Sequence, residues 1–109
     1  MNIKTSLAAA AVAMTVGSAA NAADIEVTHW WTSGGEAAAV KVFADSFNAL
    51  GGDTWVDGAI AGSGGVARPV IVSRILGGDP MGATQLNHGR QAEELVEAGL
   101  MLDLSLIHI

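Results

Sequence analysis

Three times along the chain, a short run with a two-residue repeat gives way across a glycine-containing turn to a run with a helical repeat. Ile25 to Trp30 alternates, with Ile25, Val27 and His29 on one face, and reads as a strand. Glu36 to Leu50 reads as a helix. Val40, Phe43, Ala44 and Phe47 recur on its apolar side, Lys41, Asp45 and Asn48 take the other, and Gly51-Gly52 ends it. Thr54 to Ala61 is the second strand, followed by a Gly62-Ser63-Gly64-Gly65 turn. Ala67 to Leu76 is the second helix, with an apolar stripe of Ile71, Val72, Ile75 and Leu76. Pro69 is assigned to its first turn, where a missing N–H costs little. Gly77-Gly78-Asp79-Pro80 ends that helix, and Ala83 to Asn87 is a third, short strand. Gln91 to Ala98 is the third helix, with Ala92, Leu95 and Val96 inward, Glu93, Glu94 and Glu97 outward, and Gly99 as its cap. The order βαβαβα implies an α/β fold with a parallel three-stranded core and right-handed crossovers.

The two ends of the chain stand outside this pattern. Residues 1–22 read as a secretory signal peptide. Lys4 supplies the positive start, Leu7 to Val16 an alanine-rich apolar run, and Ala20-Asn21-Ala22 a cleavage site of small residues. The rival reading is an uncleaved anchor, against which the run is short for a bilayer. The expected destination is the periplasm, as a soluble protein. Cysteine is absent, so neither disulfides nor a lipid-attachment thiol is available. The chain carries a net charge of −6, and loss of Lys4 makes it more negative. An acidic exported chain is a poor candidate for nucleic-acid binding. Ser105 to Ile109 forms an apolar tail with no turn, cap or strand partner. It reads either as a small edge strand or as sequence foreign to the natural gene.

The stretch His29-Trp30-Trp31-Thr32-Ser33-Gly34-Gly35-Glu36 is the most informative for function. The chain has three tryptophans, and two of them stand side by side where a strand turns into a helix. In parallel α/β sheets that edge is where ligands bind. An aromatic platform beside Thr32, Ser33 and Glu36 suits a sugar, whose C–H faces stack on rings while its hydroxyls need partners. Adjacent strand residues point to opposite faces. The two rings therefore share a direction only if the strand has already ended, and one of them serves equally well as core. Ser33-x-x-Glu36 also fits a helix capping box, which leaves Glu36 with either role or both. Gln85, Asn87 and His88 end the third strand and so reach the same edge. On a regular strand Gln85 and Asn87 point the same way, and amides offer donors and acceptors to a hydroxyl-rich ligand. Ordinary loop polarity accounts for them as well.

Other chemistries find less support. Gly62 to Ala67 matches G-x-G-x-x-A, but after the second strand and with no acid about twenty residues on, so no dinucleotide is implied. It reads as a tight turn, either with N–H groups at the ligand edge or purely structural. His29, His88 and His108 fit no compact metal spacing, and neither a metal nor any other cofactor is implied. His29 is expected to be packed or hydrogen-bonded within its strand. Glu36 has no carboxylate partner of the kind a glycosidase needs, since Asp57 lies within a strand and Asp79 follows a helix. No catalytic residue is nominated.

Taken together, H-W-W-T-S-G-G-E-A-A-A, A-G-S-G-G-x-A-R-P, L-G-G-D-P and Q-x-N-H-G-R resemble the glucose/mannose-type sugar-binding proteins of bacterial ABC transporters, within extracellular solute-binding protein family 1. The resemblance covers 23–104 and implies a partial N-terminal lobe of a periplasmic-binding-protein-like fold, with 105–109 as a tail outside it. It implies a non-enzymatic receptor, acting as a monomer, that captures a monosaccharide and delivers it to permease subunits of the inner membrane. It assigns sugar contacts to Trp30, Trp31 and Glu36, and to Gln85. A family histidine two positions after the glutamine is here Asn87, with His88 adjacent. A small exported carbohydrate-active enzyme and a periplasmic interaction module are the alternatives. A micromolar sugar complex is worth about 8 kcal/mol, so one lobe supplying about half would bind at roughly millimolar.

Overall fold

The computed structural model describes residues 23–107, so the signal-peptide reading of 1–22 lies outside the described residues, as do His108 and Ile109. Strand β1 (Asp24–His29) lies between β2 (Thr54–Ala59) and β3 (Ala83–Thr84), in the order β2-β1-β3, with both pairings parallel. The register pairs Val27 with Asp57 on one side and with Ala83 on the other. Helices α1 (Gly34–Ala49), α2 (Ser63–Leu76) and α3 (Arg90–Glu97) follow the three strands in turn. The α/β class and the parallel three-stranded core therefore stand as read from the repeats.

Alternation along β1 sorts the helices onto faces. Val27 and His29 look toward α1, where Val40 and Phe43 line the same cleft. Glu26 looks the other way and accepts a 2.6 Å hydrogen bond from Arg74 Nη2 of α2. Arg68 of α2 donates to Glu94 of α3 at 2.9 Å, so α2 and α3 share that second face. With neighbours on both sides of β1 and the first two helices on opposite faces, both crossovers have one hand.

The buried apolar side chains among the described residues are Val40, Ala67, Ile71 and Leu95. Val40 lies on α1, Ala67 and Ile71 on α2, and Leu95 on α3, so each helix buries at least one side chain. The stripes are narrower than the apolar spacing predicts: Phe43, Leu76 and Val96 are exposed. Phe47 is half-buried and meets Trp55 of β2 edge-on, with ring centroids 6.1 Å apart at 65°.

Several boundaries differ from expectation. Helix α1 begins at Gly34, two residues early, and Ser33 occupies the N-cap position with extended backbone, φ −147° and ψ 159°. Its hydroxyl makes no cap hydrogen bond, so the reciprocal capping box does not form. Strand β2 ends at Ala59, not Ala61. Helix α2 begins at Ser63, because the Gly62–Gly65 segment coils rather than loops, and this leaves Pro69 inside the helix and not in its first turn. Strand β3 keeps only Ala83 and Thr84, and residues 85–87 leave the strand. The tail is no edge strand: Leu104–Ile107 is a short 3-10 helix. It does have a local cap, since the Ser105 backbone N–H and hydroxyl both donate to Asp103 Oδ1, at 2.9 and 2.6 Å. Those two bonds hold the Asp103 carboxyl below the usual carboxylate range.

Candidate functional site

Parallel pairing brings the C-terminal ends of all three strands to one edge. From that edge the chain leaving β1 turns onto the α1 face, while the chain leaving β3 turns toward α2 and α3. Diverging loops open a crevice at this point, the usual place for a ligand in an open α/β sheet. Trp30, Trp31 and Thr32 rim it from β1, and Gln85, Asn87 and His88 from β3.

The ladder ends at His29, and the two tryptophans lie just beyond it. Gln85 still bonds to β1, its N–H donating to the Thr28 carbonyl at 2.7 Å. Its side-chain Oε1 accepts the Trp30 N–H at 3.1 Å, which leaves the amide NH2 free to donate. This bond laces the two rims together. Trp30 turns toward the first turn of α2. A Cβ added at Gly64 would lie 3.1 Å from Trp30 Cζ2 and 3.2 Å from Asn87 Nδ2, so glycine there lets the indole and the amide close onto the helix. Asn87 Nδ2 in turn donates to Gln91 Oε1 at 3.3 Å. Gln85 and Asn87 thus do not share a face as a regular strand would have them, because the chain has left β3.

Trp31 turns to the α1 face. It lines a cleft of about 300 Å³ with His29, Thr32, Lys41, Asp57 and Ala59, among others. A neighbouring cleft of about 440 Å³ takes Trp31, Gln85, Phe43, Trp55 and Leu86. The two indoles therefore face opposite ways, and Trp31 is the one beside open space.

Glu36 is exposed in the first turn of α1, and His88 is exposed in the loop after β3. Both stand near the C-terminal ends of the strands, yet neither lines these two clefts. His29 is buried and hydrogen-bonded as its strand position implied, with Nε2 2.5 Å from Asp57 Oδ1 and Nδ1 3.2 Å from the Trp31 N–H. Asp57 and Lys41 were absent from the sequence candidates. Asp57 had a signal: it alternates with Trp55 and Ala59 on the α1-facing side of β2, where an acid needs a partner. Lys41 had none, being one polar residue on a helix flank. Among the described residues no group of three His, Cys, Asp or Glu stands together as a metal site. Nor is any described helix long and apolar enough to cross a membrane.

No protein-family model matches the chain. Curated proteins do. A probable sugar-binding periplasmic protein of Rhizobium meliloti (strain 1021) is 40% identical over 83 residues, which is 75% of this chain and 20% of that protein. One of the same name from Brucella melitensis biotype 1 is 35% identical over 85 residues, 77% of this chain and 20% of its own length. Another, from Mesorhizobium japonicum, is 36% identical over 88 residues, 80% of this chain and 21% of its own length. All three names describe binding proteins rather than enzymes. Across most of its described fold the chain is thus a relative of probable sugar-binding periplasmic proteins, and it spans about one fifth of their length.

Proposed function

We propose that the chain is part of the substrate-binding component of an ABC sugar transporter. It is exported by residues 1–22, contributes one rim of a monosaccharide site in the periplasm, and serves delivery of a glucose- or mannose-like sugar to a membrane permease. The observation that carries this reading is the half-buried Trp31 ring beside a cleft at the crevice where β1 and β3 diverge, with the Gln85 amide on the same cleft. A pyranose stacks its C–H face on such a ring, and its hydroxyls take bonds from groups around the edge. Gln85 donates through its free NH2, while Glu36 accepts from the α1 side. Trp30, Asn87 and His88 complete the rim toward α2. The relatives' printed names agree with this ligand class.

The relatives are about five times as long, which leaves room for a second rim on other residues. The chain alone then holds a sugar with a Kd of about a millimolar, half the free energy of a micromolar site. Calorimetry against glucose, mannose and a non-sugar polyol tests this. Millimolar binding of a hexose, weakened at least tenfold by Trp31→Ala, supports it. Equal affinity in the Trp31→Ala variant, or no hexose binding at tens of millimolar, overturns it.

A further inference from the structure

Trp31 sits just past the end of the ladder, where its backbone N–H has no strand to bond to. The neighbouring groups are already matched. The His29 carbonyl accepts from Ile60, the Thr28 carbonyl from Gln85, and the Trp30 N–H is taken by Gln85 Oε1. The Trp31 N–H finds Nδ1 of the His29 ring instead, at 3.2 Å. That bond requires Nδ1 to be bare, because a neutral imidazole has one donor and one acceptor nitrogen. The other nitrogen, Nε2, stands 2.5 Å from Asp57 Oδ1. An ionised carboxylate only accepts, so Nε2 must carry the proton. The side chain is buried, with 7% of its surface exposed, and water offers the ring no alternative partner. The two contacts agree on one tautomer, and an aspartate twenty-eight residues away decides it.

We infer that His29 is a positioning residue. Asp57 locks its ring in the Nε2–H form, so that Nδ1 holds the Trp31 backbone, and with it the Trp31 ring, at the sheet edge. The opposite tautomer would set Nδ1–H against the Trp31 N–H, donor against donor, and release the turn. That turn is closed on its other side by a single short bond, from the Thr32 N–H to the Trp30 carbonyl at 3.0 Å. Trp55 Nε1 reaches the same Asp57 oxygen at 3.4 Å and helps keep the carboxylate in place.

The functional sense rests on the reading that Trp31 meets the sugar, but the test does not. On the ligand-free full chain, ring ¹⁵N shifts report the tautomer and hydrogen exchange reports the Trp31 amide. The expected spectrum has Nε2 protonated and Nδ1 bare. His29→Phe should speed Trp31 amide exchange about tenfold, the worth of one net hydrogen bond. His29→Asn, whose Oδ1 falls near the position of Nδ1, should restore most of the protection without reaching Asp57. If His29→Phe fails to fold, Asp57→Ala serves, since that side chain is half-exposed; it should give mixed tautomers. A protonated Nδ1 in the unaltered chain, a pure Nε2–H ring in Asp57→Ala, or Trp31 exchange that is equal in all variants overturns the inference. Failure to bind sugar with the His29 tautomer intact overturns the sugar reading and leaves this one standing.

Discussion

Gly58 of β2 pairs with Thr28 of β1. A Cβ there would stand 2.9 Å from the Val27 carbonyl oxygen and 3.3 Å from the Thr28 Cα, and both belong to the backbone of the central strand. Backbone held by ladders on two sides cannot step aside, so Gly58→Ala should cost about 1–3 kcal/mol as overpacking does. A denaturant midpoint measures it, and an unchanged midpoint would mean the strands lie farther apart. At this scale the sequence was a fair guide to identity and a poor one to direction. The tryptophan pair marked the C-terminal end of β1, as the strand reading had it. That Trp30 turns to Gly64 and Trp31 to the open cleft depended on where the ladder stopped, and nothing in the residues around His29 marks that point. Asp57 was set aside because it lay inside a strand, although its alternation with Trp55 and Ala59 already put it beside His29.

Helix α2 shows how an element can be recognised and its start misjudged. Glycine-rich Gly62–Gly65 reads as a turn by propensity, yet all but Gly62 are helical, and Pro69 ends up seven residues in. Proline there cannot donate to the Gly65 carbonyl, and its ring crowds that carbonyl. Pro69→Ala restores the donor. An interior proline costs about 3 kcal/mol relative to alanine, and losing its stiffness in the unfolded chain offsets about 1 kcal/mol. The variant should therefore be more stable by about 2 kcal/mol in thermal melts, whereas an unchanged melt would show that the glycines have already relaxed around the ring. Strand β3 failed in the opposite sense. Its apolar start was legible, but the chain bends after Thr84 to carry Gln85 back to Trp30, a demand set by the neighbouring loop.

At the scale of the whole fold, few side chains are buried among the described residues, and ion pairs join the elements. Arg74 links α2 to β1 through Glu26, and Arg68 links α2 to α3 through Glu94. The Glu26 carboxyl is held below the usual glutamate range, chiefly by the hydrogen bond from Arg74; partial desolvation opposes this, and the charge of Arg74 adds to it. A carboxyl whose pKa falls on folding binds fewer protons folded than unfolded in the window between the two values. Its contribution is therefore complete above the ordinary glutamate value and is lost as pH falls through the lowered one. The stability difference between the unaltered chain and Glu26→Gln should be positive at neutral pH and shrink to nothing in acid. A difference that stays constant with pH would assign the effect to packing.

Composition, two repeats and three glycine-bearing turns were enough to determine an α/β chain with a parallel sheet, and they put an aromatic pair at the C-terminal end of its first strand. Those features follow from local periodicity, which every short segment carries by itself. Which tryptophan faces open space, how His29 joins Asp57 to the Trp31 backbone, and where α2 and β3 start or stop were decided only in three dimensions. Each depends on a group supplied from a distant part of the chain: Gly64 beneath Trp30, Asp57 beside His29, and Gln85 against the Trp30 N–H. Hydrogen bonds and close contacts between segments far apart in the chain leave no repeat in either one, and so only the folded arrangement reveals them.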